Sequence, residues 1–142
     1  MMNNRVVSNL RFTECLVDQV VFRRNPNYQY DAGNEKNLSF RFNSEVSIED
    51  SRTKAEIILT CMIFEEEDIV TENLPFSLKV SMRGLFECSE DVDIKSFQMN
   101  AMAIVLPYVR ALITSFTAQA GIPPIILPPI HVVNYFAEES EL

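Results

Sequence analysis

One histidine, three cysteines and a run of four acidic residues are the groups in this sequence whose types could do chemistry. His131 is the only side chain with an ordinary pKa near neutrality, so acid–base catalysis at pH 7 would have to pass through it. It follows directly on the apolar stretch GIPPIILPPI (121–130) with no acid or serine beside it, and reads as a satisfied or exposed histidine. Cys15, Cys61 and Cys88 are odd in number, widely spaced and form no CxxC pair. With a single histidine they assemble no zinc site, and they read as reduced thiols of a cytoplasmic protein. Glu65, Glu66, Glu67 and Asp68 lack the spaced oxygen ligands and turn glycine of a calcium loop. They read as a solvated hairpin tip or as a docking patch for a basic partner. GxSxG, P-loop, GxGxxG and HExxH patterns are absent, and three glycines leave no loop to cradle phosphate. The expectation is a protein that is not an enzyme and uses no cofactor or metal.

Charge narrows the partners. Twelve Lys and Arg against twenty Asp and Glu give a net charge of −8, which repels phosphate backbones and argues against nucleic-acid binding. The N-terminal MMNNRVVSNLRF lacks the apolar run of a signal peptide. No stretch reads as the roughly 20 apolar residues of a bilayer span, so membrane insertion is not expected. The 142 residues fit one cytoplasmic domain, with extended or disordered ends at about 1–8 and 137–142.

The elements that must position any site follow from periodicity. LSFRFNSEVSI (38–48) and PFSLKVSMRG (75–84) alternate apolar and polar residues, the mark of half-buried strands. In the second, Phe76, Leu78, Val80 and Met82 face one way and Ser77, Lys79, Ser81 and Arg83 the other. TKAEIILTCMIF (53–64) also alternates but keeps Ile58, Met62 and Phe64 on its second face, and LRFTECLVDQVVF (10–22) is a less regular edge candidate. Short polar connections predict an antiparallel meander, with a bulge at Gly84. Beyond residue 94 the period changes to three or four. Ile104, Val105, Tyr108, Val109, Leu112, Ile113, Phe116 and Ala120 form a helical stripe, with Arg110, Thr114, Thr117 and Gln119 off it. Pro107 predicts a kink or a break into pieces at 94–105 and 107–120, and Gly121 stands at the helix-ending position. The fold class is α+β: a four-stranded antiparallel sheet, a long helix, a proline-rich loop and a short C-terminal helix.

GIPPIILPPI holds four prolines and five Ile or Leu residues, so it can be neither helix nor inner strand and should be a stiff extended strip. Together with the helix stripe and the doubly apolar strand it exceeds what one sheet and one helix need to cover each other. Such a surplus marks a binding groove, self-association or both.

The stretch NAMAIVLPYVRALITSFTAQAGIPPIILPPI (100–130) resembles the SecB family of protein-export chaperones, through Asn100, Leu106-Pro107-Tyr108, Arg110, Ile113-Thr114-Ser115, Gly121, Pro123, Leu127, Pro129 and Ile130. The four strands and the GLF at 84–86 fit the same family, so the resemblance covers about residues 8 to 136. It implies a homotetramer, a dimer of dimers, that binds unfolded polypeptides or preproteins in apolar grooves without ATP. Possible further partners under the resemblance are the SecA motor or an antitoxin. The strip would be a groove wall, with Ile122, Pro123, Ile125, Ile126, Leu127 and Pro128 as contacts. Phe40, Phe42, Met82, Leu85 and Phe86 either join it or pack inward. Tyr108, Leu112 and Phe116 are the expected oligomer interface. Asp18 with Glu65, Glu66, Glu67 and Asp68 would take the place of acidic motor-docking residues, since Arg23 and Arg24 stand where an acid is expected. The open alternatives are a SecB-like chaperone of a toxin–antitoxin system, a non-chaperone oligomeric adaptor and a carrier of an apolar ligand.

Overall fold

A computed structural model describes residues 10–30, 37–49, 53–88, 94–128 and 130. The elements are β1 (Leu10–Arg24), β2 (Phe40–Ile48), β3 (Lys54–Ile63), a one-turn helix α1 (Asp68–Thr71), β4 (Phe76–Cys88) and the long helix α2 (Ile94–Gln119). The four strands form one antiparallel sheet in the order β1-β4-β3-β2. β2, β3 and β4 are a meander as expected, but β1 pairs with β4 across the sheet, not with β2. β1 and β2, consecutive in the sequence, are therefore the two edge strands of the sheet.

Alternation decides which face is core. Ile57, Leu59, Cys61 and Ile63 of β3 and Leu78, Val80, Met82 and Phe86 of β4 are buried against α2. The opposite face carries Glu56, Lys79, Arg83 and Glu87, with Ile58 and Met62 half-buried among them. At its centre the hydroxyls of Thr60 and Ser81 are hydrogen-bonded at 2.8 Å, which satisfies two groups that neighbouring side chains cover. Phe64, expected to extend the apolar second face of β3, lies past its end with a positive φ of 55° and its ring 5.5 Å from that of Phe76.

Gly84 makes no bulge against β3, where Ile57 pairs with it in regular register. The irregularities lie in β1, between Phe12 and Glu14 and between Val17 and Gln19. The glycine serves instead for close approach of helix to sheet: a Cβ there would stand 2.6 Å from Val105 Cγ2.

α2 is a single helix through Pro107, not two pieces. Proline deprives the Ala103 carbonyl of its partner, but Ala103 and Pro107 both lie on the exposed face. Water can take the freed carbonyl there without a break in the helix. The inward stripe is Phe97, Ala101, Met102, Val105, Leu106, Val109, Ile113 and Thr117. By length and composition α2 is apolar enough to cross a membrane. Of that apolar stretch 39% is buried in the fold, the part that packs on the sheet. Gly121 ends it with φ 85°. The region 131–142, including His131 and the expected C-terminal helix, lies outside the described residues.

Candidate polypeptide-binding surface

After Gly121 the chain turns back along α2 as the extended strip 122–128, and the sequence of that strip decides how it packs. With prolines at 123, 124 and 128 it cannot join a ladder, so its remaining polar groups need side-chain partners. The helix supplies them. Thr114 Oγ1 donates to the Ile125 carbonyl at 2.7 Å, the Ile125 N–H donates to Thr117 Oγ1 at 2.9 Å, and Arg110 Nη2 donates to the Leu127 carbonyl at 2.9 Å. Arg110 Nε is buried with no partner among the described residues.

The side chains divide sharply. Ile122 (5% exposed) and Leu127 (1%) are part of the core, whereas Ile126 is 76% exposed. Pro123 and Pro128 are exposed and Ile125 is half-buried. Between strip and helix lies an open depression of about 490 Å³, lined by Pro107, Arg110, Ala111, Thr114, Ser115 and Ile126 among others. Of the six strip residues expected to contact a chain, Ile122 and Leu127 thus anchor the strip, and Pro123, Ile125, Ile126 and Pro128 remain accessible.

The strand residues do not share one groove. Met82 and Phe86 are buried under α2, a correction that follows from their sheet face. Phe86 rings meet Phe12 at 5.2 Å and Phe97 at 5.3 Å. Leu85, one residue out of phase, lies on the opposite face beside a separate hollow of about 540 Å³. Phe40 and Phe42 are half-buried on the β2 edge, their rings 5.9 Å apart and nearly perpendicular, and they pack against the same core as the strip.

Of the expected interface residues, Leu112 and Phe116 are half-buried and Tyr108 is 47% exposed. Tyr108 stacks toward Phe12 at 5.5 Å and Phe116 meets Phe22 edge-on at 5.3 Å, so both also tie α2 to β1. Besides Val70 and Ile94, the exposed apolar residues that spacing did not single out include Leu16, Val17 and Val21 on β1, the edge strand. Their exposure follows from the bulges and from having no strand on the far side, which a single sequence does not reveal.

The acidic residues are mostly neutralised from within. Arg83 pairs with Asp18 at 2.9 Å and also with Glu56 on the exposed sheet face. Hydrogen bonds from Arg83 to Asp18 first, then to Glu56, raise its guanidinium pKa. Arg23 holds Glu66 at 2.7 Å, and Arg41 pairs with Glu65. The adjacent Glu65 carboxyl, by hydrogen bond and charge, pushes the Glu67 carboxyl above its ordinary value. The acidic run starts at the end of β3 and enters α1, as a chain reversal, in keeping with a hairpin tip. Cys15, Cys61 and Cys88 are free thiols, and no cluster of metal-binding side chains occurs among the described residues.

No family model matches the chain. Over 116 residues it is 36% identical to an uncharacterised protein of Methanocaldococcus jannaschii, covering 76% of this chain and 74% of that one. Over 108 residues it is 25% identical to the protein-export protein SecB of Methylobacillus flagellatus, covering 68% and 66% of the two chains. Among solved structures, a SecB-like chaperone of Mycobacterium tuberculosis, in complex with a peptide from the HigA1 antitoxin, superposes with a TM-score of 0.71. The match covers 90% of this chain and 95% of that one. This chain is SecB-like in sequence and in fold. At 9% identity the structural likeness concerns the SecB-like fold, the four-stranded antiparallel sheet with its long helix. The sequence relatives carry the kinship.

Proposed function

We propose that this SecB-like protein is an ATP-independent holdase that binds unfolded polypeptide along the apolar surface formed by the strip and the exposed side of α2. The observation that carries the reading is the split within GIPPIILPPI: Ile122 and Leu127 are fixed in the core while Ile126 and the prolines stand outside it. A strip made only for packing would turn its largest apolar side chains inward. A rigid strip that holds one outward loses little entropy when a client binds. The shallow depression beside it is open to a client side chain, and apolar burial of about 1.5–3 kcal/mol per side chain would let several weak contacts add up across a loose sequence preference.

The acidic residues favour capture of a client over docking of an export motor. Asp18, Glu65 and Glu66 already have cationic partners within the chain, which leaves less negative charge to offer. An aggregation-prone client such as an antitoxin therefore suits the surface better than a preprotein handed to SecA. The protein works in the cytoplasm as an oligomer, with a tetramer as the assembled form. Exposed Leu16, Val17 and Val21 on an edge strand support association, because an apolar unpaired edge is a template for a second copy.

The test is light scattering from a chemically denatured client diluted into buffer without nucleotide. Wild-type protein should suppress aggregation near stoichiometric amounts, and Ile126→Ser should suppress it less while keeping the wild-type assembled mass. Equal suppression by both would remove the strip from the binding surface; none by either would remove the function.

A further inference from the structure

We infer that Arg110, Thr114 and Thr117 act as positioning residues, a clamp that presents Ile126 to the client; this rests on the holdase reading proposed above. The three recur at i, i+4 and i+7 and so share one face of α2, next to the inward stripe. Their bonds take both backbone polar groups of Ile125 and the carbonyl of Leu127. Ile126 is thereby bracketed, its neighbours on both sides held by the helix. Thr117 is fully buried, and its hydroxyl is used twice. It accepts the Ile125 N–H and donates to the Ile113 carbonyl at 2.7 Å. A buried threonine hydroxyl costs stability unless it is paired, and here part of its pairing is to the strip.

The arrangement explains how an extended segment without a strand partner keeps one register against a helix. The prolines limit its conformations, Ile122 and Leu127 anchor its ends, and the three polar side chains fix the segment between. With the clamp intact, Ile126 and the flanking prolines are already oriented before a client arrives. Without it, the strip would have to be ordered at the moment of binding, and affinity would fall by that cost.

Thr117→Val removes the hydroxyl at nearly constant volume, and Thr117→Ser keeps it. Hydrogen exchange at the Ile125 amide and calorimetric affinity for one permanently unfolded polypeptide are to be measured for both variants and wild type, well below each melting temperature. Thr117→Val should exchange the Ile125 amide about tenfold faster, as expected for loss of one hydrogen bond, and weaken client binding by several-fold up to about tenfold. Thr117→Ser should stay near wild type in both. A simple stabilising role would lower the melting temperature and leave the affinity of the folded protein unchanged. Unchanged client affinity in Thr117→Val, or an Ile125 amide that stays protected, would overturn the clamp while wild-type binding upholds the holdase. Wild type that binds no unfolded polypeptide would overturn the holdase and this role with it. Thr114→Val, on the partly exposed side of the clamp, removes the bond to the Ile125 carbonyl and gives the affinity comparison where Thr117→Val does not fold.

Discussion

A methyl group at residue 84 would stand 2.6 Å from Val105 Cγ2 and 3.2 Å from the Phe86 ring. Neither can retreat easily, since both lie in the fully packed layer between β4 and α2. Gly84→Ala should therefore destabilise the fold by about 1–3 kcal/mol, the usual cost of overpacking, read as a lower urea midpoint with an unchanged slope. Cys61 sits in the same layer, where burial pushes its thiol up to about 12. The thiolate needed for alkylation is then nearly absent at pH 8. In native protein iodoacetamide should label Cys15 before Cys61, which peptide mass spectrometry checks; equal labelling would contradict the placement of β3. The sequence made the inward side of β4 readable at Phe76 to Met82, because two-residue alternation needs only neighbours. It did not reveal the use of Gly84. A glycine in a strand is compatible with a bulge or with a close approach, and the residue that approaches, Val105, lies in another element.

Pro107 shows the same limit in a helix. Its position in the sequence predicts a break, yet α2 continues through it because the orphaned carbonyl faces solvent. Pro107→Ala should restore one hydrogen bond and raise stability by about 1–2 kcal/mol, less than the full proline penalty because the unfolded chain gains freedom. A thermal melt tests this, and a lower melting temperature would mean that α2 is bent at that point for a packing reason. The strip was legible as stiff and non-helical from its prolines alone. Which of its residues turn inward was not, since an extended segment without a ladder has no fixed period. Its side-chain directions come from Arg110, Thr114 and Thr117, which lie off the apolar stripe and so carry no periodic signal. β1 was legible as an edge strand, but its pairing with β4 joins residues more than fifty positions apart, beyond any local pattern.

For the whole molecule, a net charge of −8 and an apolar strip at the surface serve opposite needs. The charge repels phosphate backbones and other acidic surfaces, while Ile126 and the prolines of the strip present apolar surface. The internal pairing of Asp18, Glu65 and Glu66 spends part of the acidic surface on the fold itself. Family and fold were readable from the ordered residues between Asn100 and Ile130, and the sequence relatives agree with them. Burial was less readable: of the residues expected to line a groove, Met82, Phe86, Ile122 and Leu127 are core, and Ile126 stands most exposed. The most direct measurement is titration calorimetry of the assembled protein with a polypeptide held permanently unfolded, and with its folded counterpart, at several temperatures. The account predicts binding of the unfolded form alone with a negative heat-capacity change, the mark of apolar burial. Binding of neither form, or of both equally, would contradict it.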